Sequence, residues 1–113
     1  MTLVGYARVS TLDQDPALQL DALAAAGCTS IFDDRASGAC TERPGLQRAL
    51  DYVREGDVLV VWKLDRLGRS LAHLIETVAA LEQRGVGFRS ITEAIDTTTS
   101  GGRLIFHLFG ALG

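Results

Sequence analysis

A serine near the N-terminus stands two residues after an arginine, at the end of a short apolar run. The run reads Tyr6-Ala7-Arg8-Val9-Ser10-Thr11. Side chains alternate along a strand, so an extended backbone places Tyr6, Arg8 and Ser10 on one side. A hydroxyl beside a guanidinium group is a pairing that could act on an anionic substrate.

A second charged run follows the third apolar segment and reads Lys63-Leu64-Asp65-Arg66-Leu67-Gly68-Arg69-Ser70. Arg66 and Arg69 share one face if a helix begins this early. Several guanidinium groups around one hydroxyl suit a substrate whose negative charge spreads over non-bridging oxygens, as in phosphoryl transfer. We therefore expect a phosphate site with Ser10 as its nucleophile.

Other chemistries fit these residues less well. An acyl-transfer serine commonly needs a histidine base, but His73 and His107 lie outside both runs. The chain has neither a P-loop motif nor the glycines of a dinucleotide fold. Asp65 is the one acidic residue at these strand ends, and arginines would engage it more readily than a metal ion. We expect covalent chemistry by Ser10 with no cofactor and no metal.

Ordinary structural roles could explain each residue separately. A serine at a strand end is most often a turn residue or a helix cap. Arg66 and Arg69 could form weak surface ion pairs with Asp65 or Glu93. The remaining candidates could be surface amides, a loop charge and a core aromatic, namely Gln14 and Gln19, Arg43, and Trp62. Their joint occurrence at two strand ends is what favours a site.

Apolar runs and helical periods alternate along the chain and predict the elements that position these residues. The pattern indicates an α/β fold with a mainly parallel four- to five-stranded sheet and helices on both faces. Ligands of such sheets bind beyond the carboxyl ends of the strands. Segment 34–43 is polar and predicts an exposed loop. The predicted strands are Leu3–Arg8, Ser30–Asp33, Asp57–Trp62 and Val86–Ile91, and the predicted helices run from Asp15 to Gly27, Pro44 to Gly56 and Ser70 to Gly85.

Composition sets further bounds. The 113 residues, 47% of them hydrophobic, are enough for one domain with an apolar core. A net charge of -3 argues against a general nucleic-acid coat. Cys28 and Cys40 are expected to be reduced structural thiols. No apolar run is long enough to cross a bilayer and no signal peptide is recognisable, so we expect no membrane partner and a cytoplasmic location.

The C-terminal segment has a different pattern. Thr97–Gly102 has the residue types of a loop, and Arg103–Leu112 predicts a helix that is apolar almost all round. One small domain has too little surface to bury every face of such a helix. We expect it to pack on a second subunit or to belong to a longer helix, although Gly113 could be a true helix stop.

Taken together, the motifs resemble the catalytic domain of the serine recombinases, and most closely the small resolvase and DNA-invertase group. The resemblance covers essentially the whole chain in order and spacing. It implies cleavage of DNA by serine attack on a phosphodiester, which leaves a 5′ phosphoserine link and a free 3′ hydroxyl, followed by subunit rotation and religation. The motifs are Tyr6 to Thr11, Ala36-Ser37-Gly38, Arg43-Pro44-Gly45-Leu46, Lys63 to Ser70 and Gly85-Val86.

The same resemblance assigns roles to residues. Ser10 would be the nucleophile, and Arg43 on the loop after the second strand would complete the pocket. Asp65 would orient arginines or help to handle a proton, and Arg69 would lie close to the leaving oxygen. The residues that would bind the scissile phosphate are Arg8, Arg66 and Arg69, and those with supporting roles are Tyr6, Gln14, Gln19 and Lys63.

Family members continue into a long dimerisation helix and a helix-turn-helix DNA reader. The resemblance therefore divides this chain into a catalytic domain at 1–100 and the start of a truncated dimerisation helix at 101–113. It implies DNA and a homodimer that forms a synaptic tetramer as partners, and we expect the 113-residue chain alone to be inactive. A non-catalytic assembly or regulatory domain of the same fold is the alternative. A phosphorylatable receiver fits poorly, because Arg8 and Ser10 stand where its acidic pair would be.

Overall fold

The computed structural model describes residues 2–10, 17–36, 44–63 and 71–112. They form five strands and four helices around one mixed sheet. In chain order the elements are β1 (Leu3–Ser10), α1 (Ala17–Ala25), β2 (Ser30–Ala36), α2 (Pro44–Tyr52), β3 (Val58–Val61), α3 (Leu71–Gln83), β4 (Gly87–Ser90), β5 (Ile95–Asp96) and α4 (Ser100–Leu112).

The sheet has the strand order β2-β1-β3-β4-β5. Strands β1 to β4 pair in parallel, and the short β5 is antiparallel to β4. All four residues of β3 are buried, which explains why this central strand is a continuous apolar run. The predicted α/β class with a mainly parallel sheet is confirmed.

Two apolar clusters cover the two faces of the sheet. On one face, Tyr6 and Leu59 pack with residues of α2 and α3 and with Phe106 of α4. On the other face, Ala7 and Val60 pack against Leu23 of α1. The prediction of helices on both faces is therefore confirmed, and residues of β1 alternate between the two clusters as the strand period requires.

The predicted exposed loop at 34–43 is wrong at its start. Strand β2 continues to Ala36, and Asp34 is buried within it with 7% of its surface exposed. A polar residue can occupy this position because three hydrogen bonds satisfy its carboxylate. Residues 37–43 lie outside the described part of the chain, as do Asp15 and Ser70, the predicted helix caps.

The predicted loop at 97–102 is shorter than expected, because α4 begins at Ser100. The hydroxyl of Thr99 accepts a hydrogen bond from the backbone N–H of Gly102, so Thr99 caps the helix. The helix buries Phe106, but Leu104, Ile105 and Leu108 are 61%, 45% and 55% exposed. None of the helices in the described ranges is both long enough and apolar enough to span a membrane.

Candidate active site

The direction of the sheet order reverses between β1 and β3. From β1 the chain goes to β2 on one side of it, and then crosses to β3 on the other side. Open parallel sheets bind ligands beyond the carboxyl ends of the strands at such a reversal. Strand β1 ends at Ser10, and β3 ends at Val61 just before Trp62 and Lys63. The two runs that sequence reasoning selected therefore start from the two strand ends that border this position.

Strand β1 extends past the end of β3. Its pairing with β3 stops at Tyr6, which is the register partner of Val61. Its pairing with β2 continues to Ser10, which is the partner of Ala36. Among the described residues, the last four of β1 therefore pair with β2 alone. Ala36 is the last residue of β2, and segment 37–43, which contains Arg43, lies outside the described ranges.

Asp34 connects three parts of this edge. The hydroxyl of Tyr6 donates a hydrogen bond to Asp34 Oδ2 across 2.8 Å. At the start of α2, the backbone N–H of Gly45 donates to Oδ1 across 2.7 Å and that of Leu46 donates to Oδ2 across 3.0 Å. The negative charge also lies at a helix N-terminus, where the helix dipole favours it. Asp34 therefore joins β1, β2 and α2.

Sequence reasoning did not select Asp34. It placed this residue in a loop because Asp34-Arg35-Ala36 carries little apolar signal. A buried carboxylate needs partners, and those partners lie 28 residues before it and 11 and 12 residues after it in the chain. The one available signal was Pro44-Gly45-Leu46, a helix start that in the sequence directly follows Arg43, which is not one of the usual capping residues.

Gln19 holds the same end of β1 from the other face of the sheet. Its side chain is 1% exposed, and its Nε2 donates a hydrogen bond to the backbone carbonyl of Arg8 across 3.1 Å. The alternative of a surface amide is therefore wrong for Gln19. Arg8 itself is half-buried, and the hydrogen bond from Gln19 holds its backbone carbonyl.

Lys63 and Trp62 follow β3 at the same edge. The Lys63 ammonium lies 4.7 Å from the centroid of the Trp62 ring, which is a cation–π distance. Both residues are half-buried, so Trp62 is not a fully enclosed core residue. The sole lysine of the chain is thus beside the predicted phosphate site.

Most of the remaining predicted site residues lie outside the described ranges. Ser10 is described by its backbone, as the last residue of β1. Glu93, the partner suggested for the arginines, accepts a hydrogen bond from the Ser90 hydroxyl. Residues that lie outside the described ranges are Gln14, Arg43, Asp65, Arg66 and Arg69.

Two groups away from this edge have shifted pKa values. Burial raises the pKa of the Cys28 thiol, and the positive charge of Arg89 only partly opposes this effect. Burial also acts to raise the pKa of Asp96, but hydrogen bonds from Thr98 together with Arg89 outweigh it and hold that pKa below its usual value. Cys28 is a free thiol, and Cys40 lies outside the described ranges. Within the part of the chain that is described, no three His, Cys, Asp or Glu residues form a group that could hold a metal ion.

Comparison with known proteins decides the family. The family model for the resolvase N-terminal domain matches residues 3–113. The chain belongs to the resolvase N-terminal domain family. Similar members include the serine recombinase gin of Escherichia phage Mu, at 58% identity over 110 residues, and the DNA-invertase hin of Salmonella typhimurium, at 54% over 112 residues.

This resolvase domain spans only part of those relatives. The matches cover 97% and 99% of the chain but 57% and 59% of the relatives, so it corresponds to little more than half of their length. Among solved structures, the N-terminal catalytic domain of TP901-1 integrase matches with a TM-score of 0.81 and 29% identity, over 99% of this chain and 93% of that one. A resolvase-family recombinase from Streptococcus pneumoniae shares the fold, with a TM-score of 0.79 and 20% identity over 99% and 85% of the two chains.

Proposed function

We propose that this resolvase-family chain is the catalytic domain of a site-specific DNA recombinase with Ser10 as its nucleophile. One observation carries the proposal: Arg8 and Ser10 stand on the part of β1 that extends past β3, at the reversal of the sheet order. The names of the relatives, serine recombinase and DNA-invertase, support DNA as the substrate.

Strand cleavage exchanges one phosphate ester for another. The Ser10 hydroxyl gives up its proton, and its oxygen attacks the scissile phosphorus. The bond from phosphorus to the 3′ oxygen breaks, and that oxygen leaves with the electron pair and takes up a proton. The products are a 5′ phosphoserine link and a free 3′ hydroxyl. Religation reverses these steps on a new DNA end, so no nucleotide cofactor has to supply energy.

Cationic residues neutralise the charge that develops on the phosphate. Arg8, Arg66 and Arg69 bind the non-bridging oxygens, with Arg69 beside the leaving oxygen, and Arg43 completes the pocket. Asp65 orients arginines or handles a proton. Lys63 adds a positive charge at the same edge. The residues that support the geometry are Tyr6, Gln14 and Gln19, and the contacts of Tyr6 with Asp34 and of Gln19 with Arg8 are consistent with that role.

The proposal extends to assembly and location. Residues 1–100 form the catalytic domain, and 101–113 belong to a helix through which two subunits pair before a synaptic tetramer forms. The exposed side chains of Leu104, Ile105 and Leu108 on α4 support this pairing, since they leave an apolar face uncovered. A cytoplasmic location accompanies the proposal, because the similar relatives come from bacteria, their phages and a transposon.

A fusion protein tests the proposal. The chain is joined after Gly113 to the remaining C-terminal part of the phage Mu relative and assayed on a supercoiled plasmid that carries that relative's recombination sites, under the conditions in which that relative recombines. We expect recombination and, on denaturation during the reaction, protein bound to 5′ ends with 3′ ends open to extension. Ser10→Ala should abolish both products, and the control Ser30→Ala should retain them.

Two results would overturn the proposal. Cleavage by Ser10→Ala would remove Ser10 as the nucleophile. An unsubstituted fusion that assembles on the sites without cutting them would favour the non-catalytic assembly domain instead.

A further inference from the structure

We infer that Trp62 is a positioning residue for the strand-cleavage reaction, because its ring holds the Lys63 ammonium at the carboxyl end of β3, where that charge meets a DNA phosphate. The inference rests on the proposed function and deepens it. It gives a role to the one tryptophan of the chain, which sequence reasoning interpreted as a core aromatic.

The side chains of Trp62 and Lys63 are in contact. Lys63 Nζ lies 4.7 Å from the centroid of the Trp62 ring, and tryptophan is the aromatic residue that attracts cations most strongly. Successive side chains of an extended strand point to opposite faces, so sequence neighbours in a strand do not normally touch. Here they touch because the chain bends at these two residues, just beyond the end of β3.

The backbone beneath the ring is fixed by the chain that follows β4. The N–H of Ile91 donates a hydrogen bond to the carbonyl of Val61 across 3.0 Å, and the N–H of Thr92 donates to the carbonyl of Trp62 across 2.9 Å. The Trp62 side chain is also half-buried. The ring is therefore a fixed surface, and it restrains an ammonium group that a flexible four-carbon stem would otherwise leave free to move.

The ring restrains the ammonium group without neutralising it. Among the described residues, no carboxylate lies within salt-bridge distance of Lys63. A carboxylate partner would offset the positive charge and compete with a phosphate for it, whereas the face of an aromatic ring carries no net charge. The contact with Trp62 therefore leaves the charge of Lys63 available to an anion.

The position of Lys63 in the sheet matches that of Arg8. Each stands two residues beyond Tyr6 and Val61, the last register pair of β1 with β3. The two strands are neighbours and border the reversal of the sheet order, where open parallel sheets bind their ligands. Two positive charges on neighbouring strand ends favour an anion at this place, and the scissile phosphate of the proposed reaction is such an anion.

Nuclear magnetic resonance of the 113-residue chain tests the contact. Lys63 is the only lysine, so labelled lysine gives the signals of one side chain. We expect its Hε protons to resonate upfield of those of an exposed lysine, because the ring current shields protons that lie over an aromatic face. Trp62→Leu should abolish this shift, and the control Tyr52→Leu on α2 should retain it. The absence of an upfield shift in the unsubstituted chain would overturn the inference.

A double-mutant cycle in the fusion protein tests the role in the reaction, with single-turnover cleavage measured at saturating protein. We expect Lys63→Met to lower the cleavage rate about 100-fold and Trp62→Leu to lower it about 3- to 30-fold. Because Trp62 acts through Lys63, adding Trp62→Leu to Lys63→Met should cause no further loss. The control Tyr52→Leu should retain the full rate.

Two results of this cycle would overturn the inference. An equal loss from Trp62→Leu with and without Lys63 would mean that the ring acts independently of the ammonium group. An unchanged rate in a Trp62→Leu protein whose lysine signal has moved would mean that the position of the ammonium group does not affect cleavage. Ser10→Ala in the same assay reports separately on the proposed function.

If Trp62→Leu does not fold, Trp62→Phe replaces it, since phenylalanine keeps an aromatic face that attracts cations less strongly. We expect a smaller upfield shift of the lysine signal and a fall in rate of less than about 10-fold, again absent when Lys63 is methionine. An unchanged rate in a folded Trp62→Phe protein whose lysine signal has moved would overturn the inference.

Discussion

Gln19 donates a hydrogen bond to the backbone carbonyl of Arg8 across 3.1 Å, and this contact joins α1 to the end of β1 that extends past β3. The carbonyl of a strand residue usually bonds within its sheet. Here a buried side chain from a covering helix contributes a bond at the point where β1 has passed the end of β3. The backbone that carries Arg8 is therefore held from outside the sheet.

Replacement of Gln19 by methionine removes this bond and keeps the length of the side chain. We expect the free energy of unfolding to fall by about 1 kcal/mol, near the lower end for a lost buried bond. The reason is that Gln19 Oε1 is buried and has no hydrogen-bond partner among the described residues, so its removal offsets part of the loss. Urea unfolding measures the change. Gln47→Met on the exposed face of α2 is the control and should stay within about 0.5 kcal/mol of the unsubstituted chain.

Phe106 anchors α4 to the domain. It is 4% exposed, and its ring centroid lies 6.3 Å from that of Phe88. We expect Phe106→Ala to lower the free energy of unfolding by about 3 kcal/mol, because it leaves a cavity under the helix. Leu104→Ala, at an exposed position, should change it by less than about 0.5 kcal/mol. Both variants are measured at protein concentrations where dilution does not change the free energy of unfolding. Equal decreases in the two variants would contradict the anchoring role of Phe106.

Two adjacent glycines in α4 should respond to alanine with opposite signs. A Cβ at Gly101 meets nothing within 4 Å, so Gly101→Ala should raise the free energy of unfolding by about 0.5 kcal/mol through a less flexible unfolded chain. A Cβ at Gly102 would lie 1.9 Å from the backbone oxygen of Asp96. Gly102→Ala should therefore lower the free energy of unfolding by about 1–3 kcal/mol. Thermal unfolding of the two variants measures both changes in stability, and changes of the same sign would contradict this prediction.

Asp96 should make stability depend on acid pH. Its pKa is lowered in the folded chain, because hydrogen bonds from Thr98 and Arg89 outweigh the effect of burial. A lowered folded pKa means that the stabilisation is present above the unfolded value, about 3.9, and is lost as pH falls through the folded value. The difference in unfolding free energy between the unsubstituted chain and Asp96→Asn should thus be largest near pH 7 and shrink below about pH 4.

Thr98→Val provides the companion measurement, since it removes the side-chain hydrogen bond to Asp96. We expect this variant to lose part of the same acid-dependent stability. A difference that stays constant from pH 7 to pH 3 in both variants would contradict the assignment to Asp96.

Local patterns predict most of the fold. The apolar spacing of Leu46, Ala49 and Val53 places α2 correctly on the sheet, and all three are buried. The run of four apolar residues in β3 predicts a central strand covered on both faces. These features are set by residues close to one another in the chain, which is why periodicity detects them.

Features that depend on distant partners escape such patterns. Asp34 and Gln19 are polar, and their burial becomes intelligible only once Gly45 and Arg8 are known to lie beside them. The early start of α4 depends on Thr99 as a cap, and Thr99 resembles a loop residue like its neighbours. For the candidate site, residue types and spacing identified the two strand ends but not the contacts that hold them.

The four-residue extension of β1 past β3 has a strand neighbour on one side only among the described residues, because it pairs with β2 and not with β3. At about 3.3 Å per residue it projects roughly 13 Å. Contacts on both faces of the sheet hold this extension. Gln19 of α1 bonds to it on one face, and on the other face Asp34 of the neighbouring strand bonds to the start of α2. Because these contacts join α1 and α2 to the end of β1, the position of the strand end that carries Ser10 depends on both helices as well as on its pairing with β2.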